Sequence, residues 1–255
     1  MIYEVKDTKS VEPLFKDWPE AVIWSCLQGI MGKLYTPDLE HPVSVMAILG
    51  DFCYFAGEPD RELVLFKPEW TDQDFIIMVP QDEDWAELIE SCYGSKATKV
   101  LRYAIKKERG IFDEELLKKA VSTLPDEYDL QLIDEKLFYE CKNTDWCKDW
   151  VFHYEDYAMF QKYGLGVVVL KDGEPVSGAS SYCGFQDGIE IEIITKEEYR
   201  RKGLAYVCGA GVILECLKRG WYPSWDAQNL WSKALAQKLG YHYSHDYVSY
   251  EIRGY

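Results

Sequence analysis

The chain has 255 residues, a formal net charge of −16, 47% hydrophobic residues and 28% charged residues. This composition indicates a folded protein with one large or two modest domains, and excludes a disordered or fibrous chain. A negative charge of this size repels phosphate backbones and anionic lipid. Nucleic acids and membrane surfaces are therefore not expected as partners, whereas cationic amines are compatible with the charge.

The cysteines and the first residues indicate a reducing compartment. Eight cysteines lie without C-x-x-C spacing, several of them in apolar runs where buried free thiols are common. They are Cys26, Cys53, Cys92, Cys141, Cys147, Cys183, Cys208 and Cys216. The segment from Met1 to Phe15 is acidic and lacks the apolar core of a secretion signal, and no run reaches the roughly 18 apolar residues of a membrane helix. We therefore expect a cytoplasmic protein.

The first half of the chain predicts a small sheet with helices. Asp17-Trp18-Pro19-Glu20 is typical of a helix start and predicts a helix over residues 21–31. Short apolar runs rich in strand-forming residues predict strands. These runs cover residues 43–49, 52–55, 63–66, 75–79 and 99–104. Helical periodicity covers residues 84–93 and 112–124.

A domain boundary is predicted at residues 122–127. A proline and acidic residues interrupt the periodicity there, and a new strand follows. We therefore predict an amino-terminal α/β domain over residues 1–125 and a second domain over residues 126–255. No motif in the first of these assigns it a role.

The second half predicts an α/β (α+β) fold, with a mixed, mostly antiparallel central sheet flanked by helices. A strand, two helices and a hairpin across Asp172-Gly173 come first, then strand, helix, strand, helix and terminal strand. The predicted strands cover residues 128–133, 165–170, 175–182, 189–195, 222–225 and 241–252. The predicted helices cover residues 134–141, 146–160, 202–219 and 229–239.

The segment from Ile193 to Ala205 carries the clearest chemical signal. An apolar strand leads through a polar turn into a basic helix start that contains Gly203. The first amides of a helix have no partner inside the helix and lie at the positive end of its dipole, so they bind anions. Arg200, Arg201 and Lys202 add three cations in a strongly acidic chain. A diphosphate group fits this pattern.

The spelling Arg200-x-x-Gly203-x-Ala205 resembles the Q/R-x-x-G-x-G/A signature of the GNAT superfamily of N-acetyltransferases, whose loop cradles the pyrophosphate of acetyl-CoA. A second stretch, from Asn229 to Tyr241, is similar to the late helix of the family, which commonly begins with Asn and ends K-L-G-F. The resemblance covers about residues 127–255. The whole chain resembles a bacterial group that includes zwittermicin-type antibiotic self-resistance acetyltransferases, and no substrate follows from that likeness.

The resemblance implies acetyl-CoA as cosubstrate, with its pantetheine arm along the strand, its pyrophosphate on the basic loop and further contacts at the late helix. The implied cofactor-binding residues are Ile193, Ile194, Thr195, Arg200, Arg201, Lys202, Gly203, Leu204, Ala205, Asn229 and Ser232. One departure concerns the tyrosine that often protonates the leaving thiolate in the family. Ala236 stands at that position, so Tyr241 is the candidate acid, with Tyr206 and Tyr243 as alternatives and water as another.

Acetyl transfer to an amine requires a base, because an ammonium group near its usual pKa of about 10 is not nucleophilic. Glu190 and Glu192 are two apart on one predicted strand and therefore share a face. Glutamates on this strand often act as the base in the similar enzymes. Mutual repulsion between Glu190 and Glu192 would raise the pKa of one of them. Asp226 is a third choice. We predict direct attack of a small-molecule primary amine on the thioester, in a ternary complex, with strand amides stabilising the oxyanion.

Two other functions are compatible with the sequence. One is a non-catalytic acyl-CoA-binding or regulatory module, which Ala236 favours, and the other is transfer of a different acyl or an aminoacyl group. A metal site is not predicted, because His242 and His245 would point to opposite faces of a strand. A homodimer is left open.

Overall fold

The computed structural model describes residues 1–255, which form two compact units. The first unit consists of Met1–Arg102 and Asp246–Tyr255, and the second of Tyr103–His245. The division predicted at residue 125 and these units do not coincide. A helix at Glu114–Val121 belongs to the second unit, since its buried Leu117 and Ala120 pack in the core of that unit.

The first unit contains a sheet with the strands β1 Tyr3–Glu4, β2 Lys33–Thr36, β3 Ser44–Leu49, β4 Phe52–Gly57, β5 Phe75–Pro80, β6 Ala97–Ile105 and β13 Tyr243–Arg253. Their order is β1-β2-β3-β4-β5-β13-β6, and the end of β6 and the start of β13 lie in the second unit. The helices are α1 Glu12–Phe15, α2 Ala21–Leu27, α3 Arg61–Val64 and α4 Glu83–Tyr93. Neighbours among β1 to β4 are antiparallel, and β4 and β5 are parallel. All six residues of β3 are buried, as expected for a strand covered on both faces.

Two predicted elements of the first unit are corrected by the structure. Residues 63–66, predicted as a strand, contain the end of the short helix α3, because the Asp60 carboxylate accepts a hydrogen bond from the Leu63 amide at 2.7 Å and so caps a helical turn. The helix predicted over residues 21–31 ends at Leu27, and Gly29 follows with a φ of 65°.

The second unit contains a sheet with the strands β7 Asp129–Leu132, β8 Gly166–Lys171, β9 Glu174–Phe185, β10 Gly188–Thr195 and β11 Tyr222–Ser224. Their order is β11-β10-β9-β8-β7. A short strand, β12 Asp226–Ala227, pairs with the end of β6. The helices are α5 Glu114–Val121, α6 Glu135–Lys142, α7 Tyr157–Tyr163, α8 Leu204–Lys218 and α9 Leu230–Lys238. All pairs in the five-stranded sheet are antiparallel except β10 with β11.

Helix α8 is the centre of the core of this unit. Nine of its residues are buried, and the seven that are not glycine pack in one cluster with the inward-facing residues of β8, β9 and β10. Gly209 allows close packing on two sides, because an added Cβ would lie 2.7 Å from the Leu239 side chain at the end of α9 and 3.3 Å from Ile193 of β10. The tight packing fixes the start of α8 relative to the end of β10.

The hairpin predicted across Asp172-Gly173 is present. These residues have φ values of 53° and 85°, the left-handed pair that a tight two-residue turn requires. The helix predicted over residues 146–160 is instead a 3-10 turn at Lys148–Trp150 followed by α7, because the Asp156 carboxylate caps a new helix by accepting from the Met159 amide at 2.8 Å.

Trp150 packs directly on the sheet. Its ring lies over Gly178 in β9, where an added Cβ would be 2.7 to 2.9 Å from the indole. The Ser180 hydroxyl donates to the Trp150 carbonyl at 2.6 Å, which fixes the backbone as well. The segment before α7 is thus attached to the sheet on the side away from α8.

We expect Gly178→Ala to destabilise the second unit by about 1–3 kcal/mol, because the methyl group overpacks against a rigid, buried indole. Urea unfolding followed by tryptophan fluorescence measures this. The matched control is Gly211→Ala in α8, where the nearest atom is the flexible Leu130 side chain at 3.1 Å and helix propensity gains about 1 kcal/mol. Equal stability of the two variants would contradict the prediction.

Candidate active site

A fork in the sheet defines the site. β10 pairs with the parallel strand β11 over Gly188, Ile189 and Glu190 only, whereas on its other side it pairs with β9 as far as Thr195. A β-bulge interrupts the β9 register between Glu190 and Ile191. Beyond Glu190, no strand pairs with the β11-facing edge of β10. An extended ligand can therefore hydrogen-bond to that edge as an added strand does.

Glu190 lies at the apex of the fork, beside Ser224 of β11. Its side chain is buried, and neither carboxylate oxygen makes a hydrogen bond within 3.5 Å. Burial raises the pKa of this carboxyl above its usual value of 4.5, and the nearby charge of Lys107 opposes the rise. The Ser224 hydroxyl and the Asp226 amide, although outside good hydrogen-bond geometry, also lower this pKa. A carboxyl that is costly to ionise and close to a cation is suited to accept a proton.

Lys107 holds the end of β11, the second strand of the fork. Its ammonium donates to the Ser224 hydroxyl at 2.9 Å and to the Trp225 carbonyl at 3.1 Å. No motif surrounds Lys107, and its place beside Glu190 depends on long-range packing. Sequence reasoning therefore missed this residue.

The two predicted base candidates share the face of β10 opposite α8. Ile189 and Ile191 belong to the core cluster around α8, which leaves Glu190 and Glu192 on the other face, as their spacing indicates. Glu192 is half-buried and lies opposite Ser180 of β9. The two glutamates differ in burial, and Glu190 is the more deeply enclosed.

The start of α8 lies in the loop that follows β10. Gly203 is the N-cap residue with a φ of 83°, and no side chain caps the helix. Its carbonyl accepts from the Tyr206 and Val207 amides at 3.1 and 3.2 Å, so the preceding amides of Leu204 and Ala205 have no partner within the helix. A Cβ built on Gly203 meets no atom within 4 Å. This open, uncapped helix end can receive an anion.

Three cations surround that helix end. Arg200 donates from Nε to the Thr195 carbonyl at 3.3 Å, and Lys202 lies 4.6 Å from the centre of the Tyr199 ring. Arg201 is exposed and has a φ of 63°. The positive potential is therefore concentrated at the end of β10.

The structure places Asn229 and Ser232 at the start of α9. The Asn229 carboxamide caps the helix by accepting from the Ser232 amide at 2.9 Å, and the Ser232 hydroxyl accepts from the Trp225 indole at 3.1 Å. Asp226, the third base candidate, lies in β12 rather than at a helix cap. Ser232 thus attaches α9 to the residue that follows β11, whereas Asn229 caps the helix.

Tyr241, the candidate acid, is 2% exposed, and its hydroxyl donates to the Pro223 carbonyl at 2.7 Å. Burial raises the pKa of this phenol well above its usual range. The alternatives are also in contact with other groups, since Lys238 lies over the Tyr206 ring and Lys233 over the Tyr243 ring. Tyr241 therefore has a clear structural role in holding β11.

Comparison with known proteins identifies the family. The model of the GNAT acetyltransferase family matches residues 12–250, and the chain belongs to that family. The match extends well before residue 127, where the resemblance in sequence began. No helix of the structure has the length and apolar character needed to cross a membrane.

Individual relatives agree with the family match. The chain is 38% identical over 104 residues to the uncharacterized N-acetyltransferase YdfB of Bacillus subtilis (strain 168), an alignment that covers 38% of this chain and 40% of that protein. A crystal structure of a GCN5-related N-acetyltransferase-like protein from Streptococcus suis 89/1591 is 45% identical, with a TM-score of 0.91, over 97% of this chain and 99% of that one. A tandem GNAT protein from the clavulanic acid biosynthesis pathway shares the fold, with a TM-score of 0.59 at 10% identity, over 100% of this chain and 99% of that one.

The raised pKa of Glu190 predicts a pH-dependent effect on stability. Above pH 4.5 the folded carboxyl holds its proton more tightly than the unfolded one, so this residue destabilises the fold increasingly as pH rises through its folded pKa. We expect Glu190→Gln to gain free energy of unfolding relative to the wild type as the pH rises above 4.5, measured by urea denaturation across pH.

Glu127→Gln is the control for this measurement. The Glu127 carboxylate is exposed and lies 2.8 Å from Lys171, which lowers its pKa, so its contribution has the opposite sign and is lost at acid pH. A Glu190→Gln difference that stays constant with pH would contradict the assignment.

Proposed function

We propose that this protein is an acetyl-CoA-dependent N-acetyltransferase that acts on a primary amine of a small molecule. The observation that supports this most strongly is the fork between β10 and β11, with the buried Glu190 at its apex and the uncapped start of α8 beyond the far end of β10. The open edge of β10 thus has a proton acceptor at one end and an anion site beyond the other. In acetyl-CoA, the thioester and the pyrophosphate likewise lie at opposite ends of the pantetheine arm.

The cosubstrate would lie along β10. Residues 190–195 span about 17 Å at the usual rise of a strand, which gives an extended arm room between the apex and the loop. Backbone groups of Ile193, Ile194 and Thr195 would bind the arm. The amides of Leu204 and Ala205, with Arg200, Arg201, Lys202 and the open space at Gly203, would hold the pyrophosphate.

Glu190 is the base in this proposal. A carboxylate at the apex removes a proton from the acceptor ammonium, directly or through a water, and so produces the free amine that attacks the thioester. The charge of Lys107 limits the rise in the pKa of Glu190. Its ammonium group also holds the Ser224 hydroxyl beside the Glu190 carboxyl. Tyr241 stays hydrogen-bonded to Pro223, so the departing thiolate takes its proton from water.

One feature of the chain fits an alternative function. Ala236 is fully buried in α9, so no side chain replaces the usual family acid at that position, which is compatible with a module that binds acyl-CoA without turnover. Membership of the group that includes zwittermicin-type self-resistance enzymes stays a prediction, and it carries no substrate. Release of free coenzyme A from acetyl-CoA in the presence of a panel of primary amines distinguishes an enzyme from a binding module.

We expect Gly203→Ala to weaken acetyl-CoA binding by about tenfold, equivalent to about 1.4 kcal/mol. The added methyl occupies the open space at the helix start and disfavours the left-handed backbone that presents the amides. Isothermal calorimetry on the purified chain measures the affinity.

Gly220→Ala is the matched control, at the opposite end of α8. Gly220 has a similar φ of 70°, and its Cβ would also meet no atom within 4 Å, so the backbone strain is comparable. If both variants bind acetyl-CoA as the wild type does, the pyrophosphate does not lie at Gly203. If the wild type gives no heat with acetyl-CoA, the proposed cosubstrate itself is wrong.

We expect Glu190→Gln to lower kcat/KM by about 10²- to 10⁴-fold with an amine that the wild type acetylates. The rise of kcat/KM with pH that reflects ionisation of the base should disappear in this variant. Initial rates of thiol release across pH measure both effects.

Glu192→Gln distinguishes the two candidate glutamates. A much smaller loss in this variant supports Glu190, whereas the reverse order would transfer the role to Glu192. If the variant with both substitutions retains the wild-type rate at every pH, neither residue is the base.

A further inference from the structure

Two cysteines outside the fork lie in contact with each other. Cys141 is in α6, and two successive turns, Thr144 amide to Cys141 carbonyl at 2.9 Å and Cys147 amide to Thr144 carbonyl at 3.1 Å, bring the chain back to Cys147. The two thiols lie close enough to interact, and the interaction shifts their pKa values in opposite directions. Cys26 and Cys208, by comparison, donate to oxygen atoms, at 3.7 and 3.6 Å.

Both cysteines line the same cavity. Its volume is about 790 Å³, and the lining includes Trp146, Pro175 and Lys196 in addition to the two cysteines. Cys141 and Cys147 are 0% and 1% exposed, so only a molecule small enough to enter this cavity would reach their thiols.

The interaction makes the two thiols chemically unequal. It lowers the pKa of Cys147 and raises the pKa of Cys141, because the neighbouring Cys141 side chain stabilises a thiolate at Cys147. A thiolate is the nucleophile in thiol oxidation, so Cys147 is the attacking sulfur and Cys141 the resolving one.

We propose that Cys141 and Cys147 form a two-electron redox site that small hydroperoxides oxidise to a disulfide. The Cys147 thiolate attacks one peroxide oxygen, which forms a sulfenic acid and, with hydrogen peroxide, releases hydroxide that is protonated to water. Cys141 then attacks the sulfenic sulfur, the S–S bond forms, and the sulfenic oxygen leaves as a second water. The two thiols together lose two electrons, and the peroxide gains them.

The site has a direct structural connection to the sheet. The segment that contains the cysteine pair continues into Trp150, which packs on Gly178 and binds Ser180 through its carbonyl. A disulfide would fix the turn between α6 and Trp150. The oxidation state of the pair thus acts on a segment that lies on the same face of the sheet as Glu190.

The test uses the full chain with the substitution Cys92→Ser, which removes the one cysteine that is not buried and so suppresses disulfides between molecules. The protein is reduced, freed of reductant and treated with hydrogen peroxide. We expect the native protein to lose two mass units and two titratable thiols, with reversal by a dithiol reductant. Tryptic mapping should join the peptide that ends at Lys142 to the peptide that ends at Lys148.

Single variants test the order of the two steps. In Cys141→Ser, dimedone should trap a sulfenic acid on Cys147, whereas in Cys147→Ser no adduct should form on Cys141. Cys216→Ser, which removes a buried thiol elsewhere in the same unit, should oxidise as the parent does. An unchanged mass after peroxide, a disulfide mapped to another pair, or equal trapping in both single variants would overturn the proposal.

Discussion

The short parallel pairing of β10 with β11 is the constraint on which the site depends. Three residue pairs join these strands, and beyond them β11 is held by groups outside the sheet. Tyr241 donates to the Pro223 carbonyl, and Lys107 donates to Ser224 and to the Trp225 carbonyl. Because these bonds hold the end of β11 independently of β10, the two strands can separate after Glu190 without leaving the polar groups of β11 unpaired. The open edge of β10 is a consequence.

The electrostatics of the site are local and opposite in sign at its two ends. The chain carries a net charge of −16, yet three consecutive cations precede Gly203. At the apex, Glu190 is buried without a good hydrogen bond, and Lys107 reduces the cost of its ionisation. A group that destabilises the fold when charged persists at functional sites because its raised pKa serves proton transfer. The anion site and the base are thus two parts of one strand and its loop.

Packing around α8 fixes the distance between these parts. The helix is buried along most of its length against β8, β9 and β10, so its first amides cannot move independently of the strand that precedes them. On the opposite face of the sheet, Trp150 fits over Gly178, and the chain leading to it contains the Cys141–Cys147 pair. Each face therefore positions a different element: the helix end on one side, and the glutamates with the thiol-bearing segment on the other.

The sequence by itself determined the order of elements in the second half, the Asp172-Gly173 hairpin and the basic helix start, since each follows from local spacing, turn chemistry or capping. It also indicated the shared face of Glu190 and Glu192. Tertiary structure alone decided that Glu190 is buried beside Lys107, that Tyr241 is bound to Pro223, and that Cys141 meets Cys147. It also decided that α5 and residues 246–255 belong to units other than those predicted, and that residues 61–64 form a helix. Burial, long-range pairing and pKa depend on neighbours distant in the chain, and no local pattern of residues records them.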